Sequence, residues 1–237
     1  MKVFITGASS DIGLAISRQY LSEGWEILAH YRTMRPELEL MAEQNSDTVE
    51  LIKMDFLDSA NLESLVCAYR DKFLACDVLV NCAAILNPLR FSEVTVSNII
   101  EHFSVNVLPG LLLMRDMAPA MASRGWGRIV HLGSIGVKFG GGKESFSYSL
   151  SKHALEFIPS EFRDWASKGV LVNVLRVGVT DTRLHTLDPA KNITDRIKMI
   201  PLKRMASVDE VARSVLFFGS QSNSYITGQV IAISGGE

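Results

Sequence analysis

Cysteine is scarce in this chain, and so are proline and any surplus of charge. Cys67, Cys76 and Cys82 are an odd number without metal-like spacing. That argues against a disulfide framework or a zinc site and for reduced thiols in a cytoplasmic protein. The formal net charge is −2, so nothing points to nucleic acid or an anionic membrane surface as a partner. No apolar run reaches the ~18 residues of a membrane span. The longest, Leu108 to Met114, contains Pro109 and Gly110 and reads as a core or interface helix. The first strand candidate begins at Lys2, leaving no room for a signal peptide before it. Repeats, low-complexity tracts and linkers are missing too. What remains is 237 residues, 47% hydrophobic and 21% charged, which suits one α/β domain over residues 1–237 with a sizeable core.

Short β-rich runs alternate with amphipathic helical runs. The expected strands are Lys2–Thr6, Glu26–His30, Val49–Met54, Asp77–Asn81, Arg128–Gly133, Val170–Arg176 and Gln229–Ile233. Several are almost wholly apolar, as strands buried on both faces are. The expected helices are Ile12–Glu23, Glu37–Gln44, Asn61–Phe73, Ser97–Met121, Phe146–Ser167 and Val208–Phe218. Strict alternation implies right-handed crossovers and a doubly wound, seven-stranded parallel sheet, a Rossmann fold. Its expected strand order is 3-2-1-4-5-6-7, with helices on both faces. Two long loops, Ser134–Ser145 and Gly178–Pro201, follow strand C-termini, the edge where ligands bind in such sheets. The second is the expected substrate lid.

The first strand runs into Thr6-Gly7-Ala8-Ser9-Ser10-Asp11-Ile12-Gly13. A turn of this kind exposes helix-start N–H groups and the positive end of the helix dipole, a good seat for a pyrophosphate. Gly7 permits the tight turn and Gly13 close packing of helix on sheet. The hydroxyls of Ser9 and Ser10 can donate to phosphate. The second strand ends in Ala29-His30-Tyr31-Arg32-Thr33. An acidic residue there would favour NAD by accepting from ribose hydroxyls. Arg32, unless it is simply solvated, suits the 2′-phosphate of NADP. NADP (NADPH) is thus the expected cofactor, ahead of NAD. Asp55 and Phe56 follow the third strand, where a carboxylate can accept from an adenine amino group beside an aromatic ring; the other reading is a helix N-terminal Asp, with Asp58 or Ser59 as the actual cap. Asn81-Cys82-Ala83-Ala84 suits close approach to a ribose, or plain strand packing.

Chemistry is carried by Ser134, Tyr148 and Lys152. Positions i and i+4 share a helix face, so Lys152 can stabilise a Tyr148 phenolate and lower its pKa. Tyr148 then serves as proton donor or acceptor, Lys152 also reaches the nicotinamide ribose, and Ser134 orients a substrate oxygen. A Tyr-x-x-x-Lys pair alone is weak evidence; behind a nucleotide turn and a strand ending in serine it points to a nicotinamide-dependent oxidoreductase of carbonyls or alcohols.

These motifs resemble the short-chain dehydrogenase/reductase family in its compact single-domain branch, with closest likeness to reductases of the 3-oxoacyl-acyl-carrier-protein type. The resemblance rests on Thr6-Gly7…Gly13, Asn81-Cys-Ala-Ala, Asn106, Ser134, Tyr148/Lys152, Gly178…Thr182 and Tyr225-Ile-Thr-Gly-Gln…Gly235-Gly236. It implies that Asn106 holds a water in a proton relay to Lys152, that the Val179 backbone meets the carboxamide, and that Thr182 lies near the pyrophosphate or nicotinamide. It further implies a homotetramer or homodimer built through two long helices, acting on a small carbonyl or alcohol. Departures are Asp11 for a usual glycine, Cys82 for a frequent asparagine, Ala84 for a glycine and Val177 for a proline. Asp11 brings a carboxylate near the phosphates or caps the first helix. Val137, Phe139, Gly140–Gly142, Leu184, His185 and Leu187 are the expected pocket lining, which leaves the substrate open. The alternative function is a non-catalytic nucleotide-binding sensor or scaffold. A nucleotide-sugar epimerase or dehydratase ranks lower, because only about 55 residues follow Asp181 and such chemistry usually brings an extra C-terminal domain.

Overall fold

The computed structural model describes residues 1–183 and 193–237. Seven strands, β1 (Lys2–Thr6), β2 (Glu26–Tyr31), β3 (Val49–Lys53), β4 (Val78–Asn81), β5 (Gly127–Ser134), β6 (Val170–Val177) and β7 (Gln229–Ile233), form one sheet in the order β3-β2-β1-β4-β5-β6-β7. Every pairing is parallel. Side chains alternate across the pleat. Val3 and Ile5 therefore join a core with Ile16, Tyr20 and Val215 on one face, while Phe4 and Leu79 join Leu113, Met117 and Phe73 on the other. The order reverses between β1 and β4, and there the C-terminal ends of the strands open a crevice.

The helices are α1 (Asp11–Ser22), α2 (Pro36–Gln44), α3 (Leu62–Ala68), α4 (Arg70–Leu74), α5 (Val96–Asn106), α6 (Leu108–Arg124), α7 (Phe146–Ala154), α8 (Phe162–Ala166), α9 (Ile193–Met199) and α10 (Val208–Phe218). Three expected helices are broken. The run from Ser97 divides at Val107, two residues before Pro109, which has no N–H to give the preceding turn. The run from Phe146 stops at Ala154 and resumes at Phe162 beyond Pro159. The run from Asn61 divides at Tyr69. A 3₁₀ turn, Ile135–Phe139, stands within the expected loop Ser134–Ser145, and another, Phe91–Glu93, precedes α5.

Val96–Arg124 as a whole is long and apolar enough to cross a membrane by length and composition, but half of its most apolar stretch is buried. Leu113, Met114, Met117, Ala118 and Met121 pack into the core beneath β1 and β4. Its apolarity is that of a core helix.

Candidate active site

The turn after β1 is set by short-range bonding. Ser10 caps α1, its hydroxyl accepting from Gly13 N at 3.0 Å and donating to Gly7 O at 2.8 Å. Asp11 is thus the first helical residue and not the cap. Thr6 Oγ1 accepts from Cys82 N and Ala83 N, both at 3.1 Å, tying the turn to the end of β4. Gly7 has φ +68°, and a Cβ there would meet Ala83 Cα at 2.7 Å. A Cβ on Gly13 would meet Gly7 O at 2.3 Å. Gly13→Ala is accordingly expected to lower unfolding free energy by about 1–3 kcal/mol through overpacking, read as a fall in the urea midpoint.

His30 underlies this turn. Gly7 N donates to its Nδ1 at 3.0 Å, which leaves Nε2–H to donate to Met54 O at 3.1 Å. Burial pushes its pKa down to about 4, against smaller opposing effects of the Met54 carbonyl and the Asp55 charge. The neutral ring stacks on Phe56, centroids 4.1 Å apart. Asp55 is exposed and accepts from Leu57 N at 3.0 Å, closing a turn and not capping a helix.

A cavity of about 850 Å³ runs from this turn to β5 and α7. At its outer end are Gly7, Ser9, Ser10, Asp11, Ile12, Arg32, Asp55 and Phe56; at its inner end are Ser134, Tyr148 and Lys152; Ala83, Val179 and Thr182 line the walls between. Arg32 is exposed and lines the rim of the cavity. Arg35, which the sequence reading passed over, also lines the cavity and donates to Ser9 O at 2.7 Å and Asp11 Oδ1 at 3.0 Å. Two expected residues stand behind the walls. Asn81 Nδ2 turns into the core and donates to His131 Nδ1 at 2.9 Å, so the lining at that strand end falls to Cys82, Ala83 and Ala84. Asn106 is buried; its Oδ1 accepts from Ile85 N at 2.8 Å, and its Nδ2 donates to Ile85 O at 3.2 Å and Ser151 Oγ at 2.9 Å. Of the expected pocket lining, Leu184, His185 and Leu187 lie outside the described residues. Phe139 is exposed, and of the three glycines only Gly142 reaches the cavity.

At the inner end, Lys152 is 2% exposed, and its Nζ donates to Leu132 O at 2.6 Å, 5.8 Å from the centre of the Tyr148 ring. Burial lowers its pKa to about 8, with the Cys82 thiol acting the other way. Ser134 Oγ accepts from Gly136 N at 3.2 Å and lines the cavity together with Tyr148. One expectation is corrected here. Tyr148 is pushed up, not down, to about 12, because desolvation of the hydroxyl outweighs the help of Ser134. Lys152 directs its ammonium at a main-chain carbonyl instead of the phenol. The tyrosine of this state is a neutral proton donor.

The family described as Enoyl-(Acyl carrier protein) reductase matches residues 7–237. The 3-oxoacyl-(acyl-carrier-protein) reductase of Aquifex aeolicus is 30% identical over 238 residues, covering 98% of this chain and 95% of that protein. The chain belongs to the short-chain dehydrogenase/reductase family. Relatives within it differ in substrate: a 2-dehydro-3-deoxy-D-gluconate 5-dehydrogenase of Bacillus subtilis is 26% identical, over 98% of this chain and 92% of its own. Among solved structures, a blue fluorescent protein from a metagenomic library in complex with NADPH is 26% identical with a TM-score of 0.87, covering 99% of this chain and 96% of that one. This short-chain dehydrogenase/reductase is therefore an NAD(P)-dependent oxidoreductase acting between alcohol and carbonyl.

Proposed function

We propose that the protein reduces the carbonyl of a 3-oxoacyl thioester or a closely similar ketone with NADPH. The observation that carries this reading is the single cavity, with a helix N-terminus and Arg32 at one end and Ser134, Tyr148 and Lys152 at the other. The donor set fits the cofactor. The first N–H groups of α1 have no intrahelical acceptor and suit a pyrophosphate. The guanidinium of Arg32 suits a 2′-phosphate, and Phe56, Asp55 and Ala83 line the stretch that would take the adenosine.

NADPH supplies the hydride when bound. Ser134 holds the substrate oxygen, and Tyr148 gives it the proton. Lys152 would hold the ribose and, through its charge, stabilises the phenolate that proton transfer leaves. Asn106 acts from behind, tying the Ile85 backbone to Ser151 of α7, where a relay water would reach Lys152. The Val179 backbone would meet the carboxamide, and Thr182 would lie beside the pyrophosphate or nicotinamide. Residues 1–237 work as one dinucleotide-binding domain with a substrate lid around 178–201, in a cytoplasmic homotetramer or homodimer. The reaction class is supported by the reductase named among the relatives, and NADP by the neighbour in complex with NADPH.

Arg32→Ala tests the cofactor assignment. It is expected to reduce the kcat/KM preference for NADPH over NADH by about 10- to 100-fold, the weight of one charge-assisted phosphate pair. An unchanged preference removes Arg32 from the site.

A further inference from the structure

Asp11 is the residue by which this chain departs from the glycine usual in its turn, and it makes the longest-range ionic contact around the cleft. Its Oδ2 accepts from Arg183 N at 2.9 Å, and its Oδ1 accepts from Arg183 Nε at 3.0 Å and Nη2 at 2.8 Å. Arg35 adds Nη1 at 3.0 Å to the same oxygen. Glu37 completes the cluster, 3.1 Å from Arg35 Nη2 and 3.4 Å from Arg183 Nη2. Asp11 and Arg183 are 172 residues apart in sequence and belong to opposite walls of the cavity, the turn after β1 and the segment after β6.

We infer that Asp11 and Arg183 form a strap across the mouth of the nucleotide cleft, fastened before the nucleotide arrives and opened for each entry and exit. The inference rests on the reading of the cleft as a dinucleotide site. The carboxylate sits at the first position of α1, where the helix dipole favours an anion and where the pyrophosphate is expected. A bare carboxylate there would repel a phosphate. Here two arginines and two acids balance one another. The side chain of Asp11 is 22% exposed and that of Arg35 20%, so the inner half of the cluster is shielded from solvent, whereas Arg183 is 60% exposed. A three-point hold on both carboxylate oxygens, part backbone and part guanidinium, fixes the direction of the chain leaving β6 as well as its distance. Asp11 is in this account a positioning residue: it holds the segment carrying Val179 and Thr182 over the cleft.

The strap makes a kinetic prediction that simple repulsion does not. A carboxylate that only repelled the nucleotide would slow entry and hasten exit, so its removal would speed association and slow dissociation. A strap slows both. Stopped-flow fluorescence of NADPH with the full-length protein separates them. In Asp11→Gly and in Arg183→Gln both rate constants are expected to rise about five- to tenfold, the weight of one charge-assisted contact, with Kd changed less than about threefold. A dissociation rate that falls or stays put overturns the strap. Amide hydrogen exchange over residues 178–183 without nucleotide provides a readout independent of the cofactor. Exchange in this segment is expected to accelerate in Asp11→Gly because the acceptor of the Arg183 N–H is gone, and unchanged protection also overturns the strap. If wild-type protein bound no NADPH, the cofactor reading would fall, while the exchange result would still decide the strap.

Discussion

Tyr148→Phe is expected to lower kcat for carbonyl reduction by about 10²–10⁴-fold, the range for loss of a positioned general acid. NADPH affinity should stay within about twofold, since the ring is kept and the variant loses only a hydroxyl. The geometry explains why nothing nearby replaces it. Ser134, the neighbour that eases ionisation of the phenol, is itself an alcohol, a far weaker acid. The Lys152 ammonium is already committed to Leu132 O at 2.6 Å. Steady-state kinetics beside fluorescence titration of NADPH checks both halves. Full activity in the variant removes Tyr148 from the chemistry; loss of binding with turnover would make it a structural residue.

The raised Tyr148 pKa also bears on direction. At about 12 the phenol holds its proton throughout the neutral range, which is the form reduction consumes. Oxidation of an alcohol needs the phenolate and should gain with rising pH.

Lys152→Met is expected to cost about 10²-fold or more in kcat, because it removes the buried cation that favours the phenolate left by proton transfer. Its pH profile distinguishes that role from packing. Burial brings Lys152 down to about 8, so in wild type the ammonium is present below that pH and is lost above it. The reductive rate should fall as pH rises through about 8, whereas Lys152→Met should be low and flat across that range. Stability follows the same group with its own sign. An unfolded lysine keeps its proton to about 10.4, so between about 8 and that value the unfolded chain binds more protons than the folded one. Stability from this group is therefore gained as pH rises through the window and lost as it falls. Urea midpoints measured across it should climb less in Lys152→Met than in wild type.

The sheet was legible because its strands are apolar on both faces, and because alternation with helices leaves few ways to wind them. Helix ends were less so. Pro109 and Pro159 stood in plain sight inside runs read as continuous, and amphipathic periodicity on either side masked the breaks. At the site, Tyr148, Lys152 and Ser134 were readable because helix spacing and the end of a strand place them. His30, Arg35 and Arg183 were not. Arg35 and Arg183 act through partners 24 and 172 residues away, and no local pattern announces such pairings. His30 was visible at the end of β2, but its use depends on Gly7 N pointing at one ring nitrogen and Met54 O facing the other. Asn81 was misplaced for a related reason: a strand alternates its side chains, and the register with β5 that sets Asn81 beside His131 turns it inward. The shift of Tyr148 follows from how deeply the hydroxyl is desolvated, which spacing along a helix does not encode.

The measurement that tests the account most directly is NADPH oxidation by purified protein with a 3-oxoacyl thioester, followed by mass analysis of the product and set beside an enoyl thioester, a keto-sugar acid and a simple diketone. One 3-hydroxyacyl thioester is expected per NADPH consumed, with turnover at least about 10²-fold lower in Tyr148→Phe. NADPH that binds tightly yet is consumed with none of these substrates would contradict it and favour a nucleotide-binding sensor on the same fold.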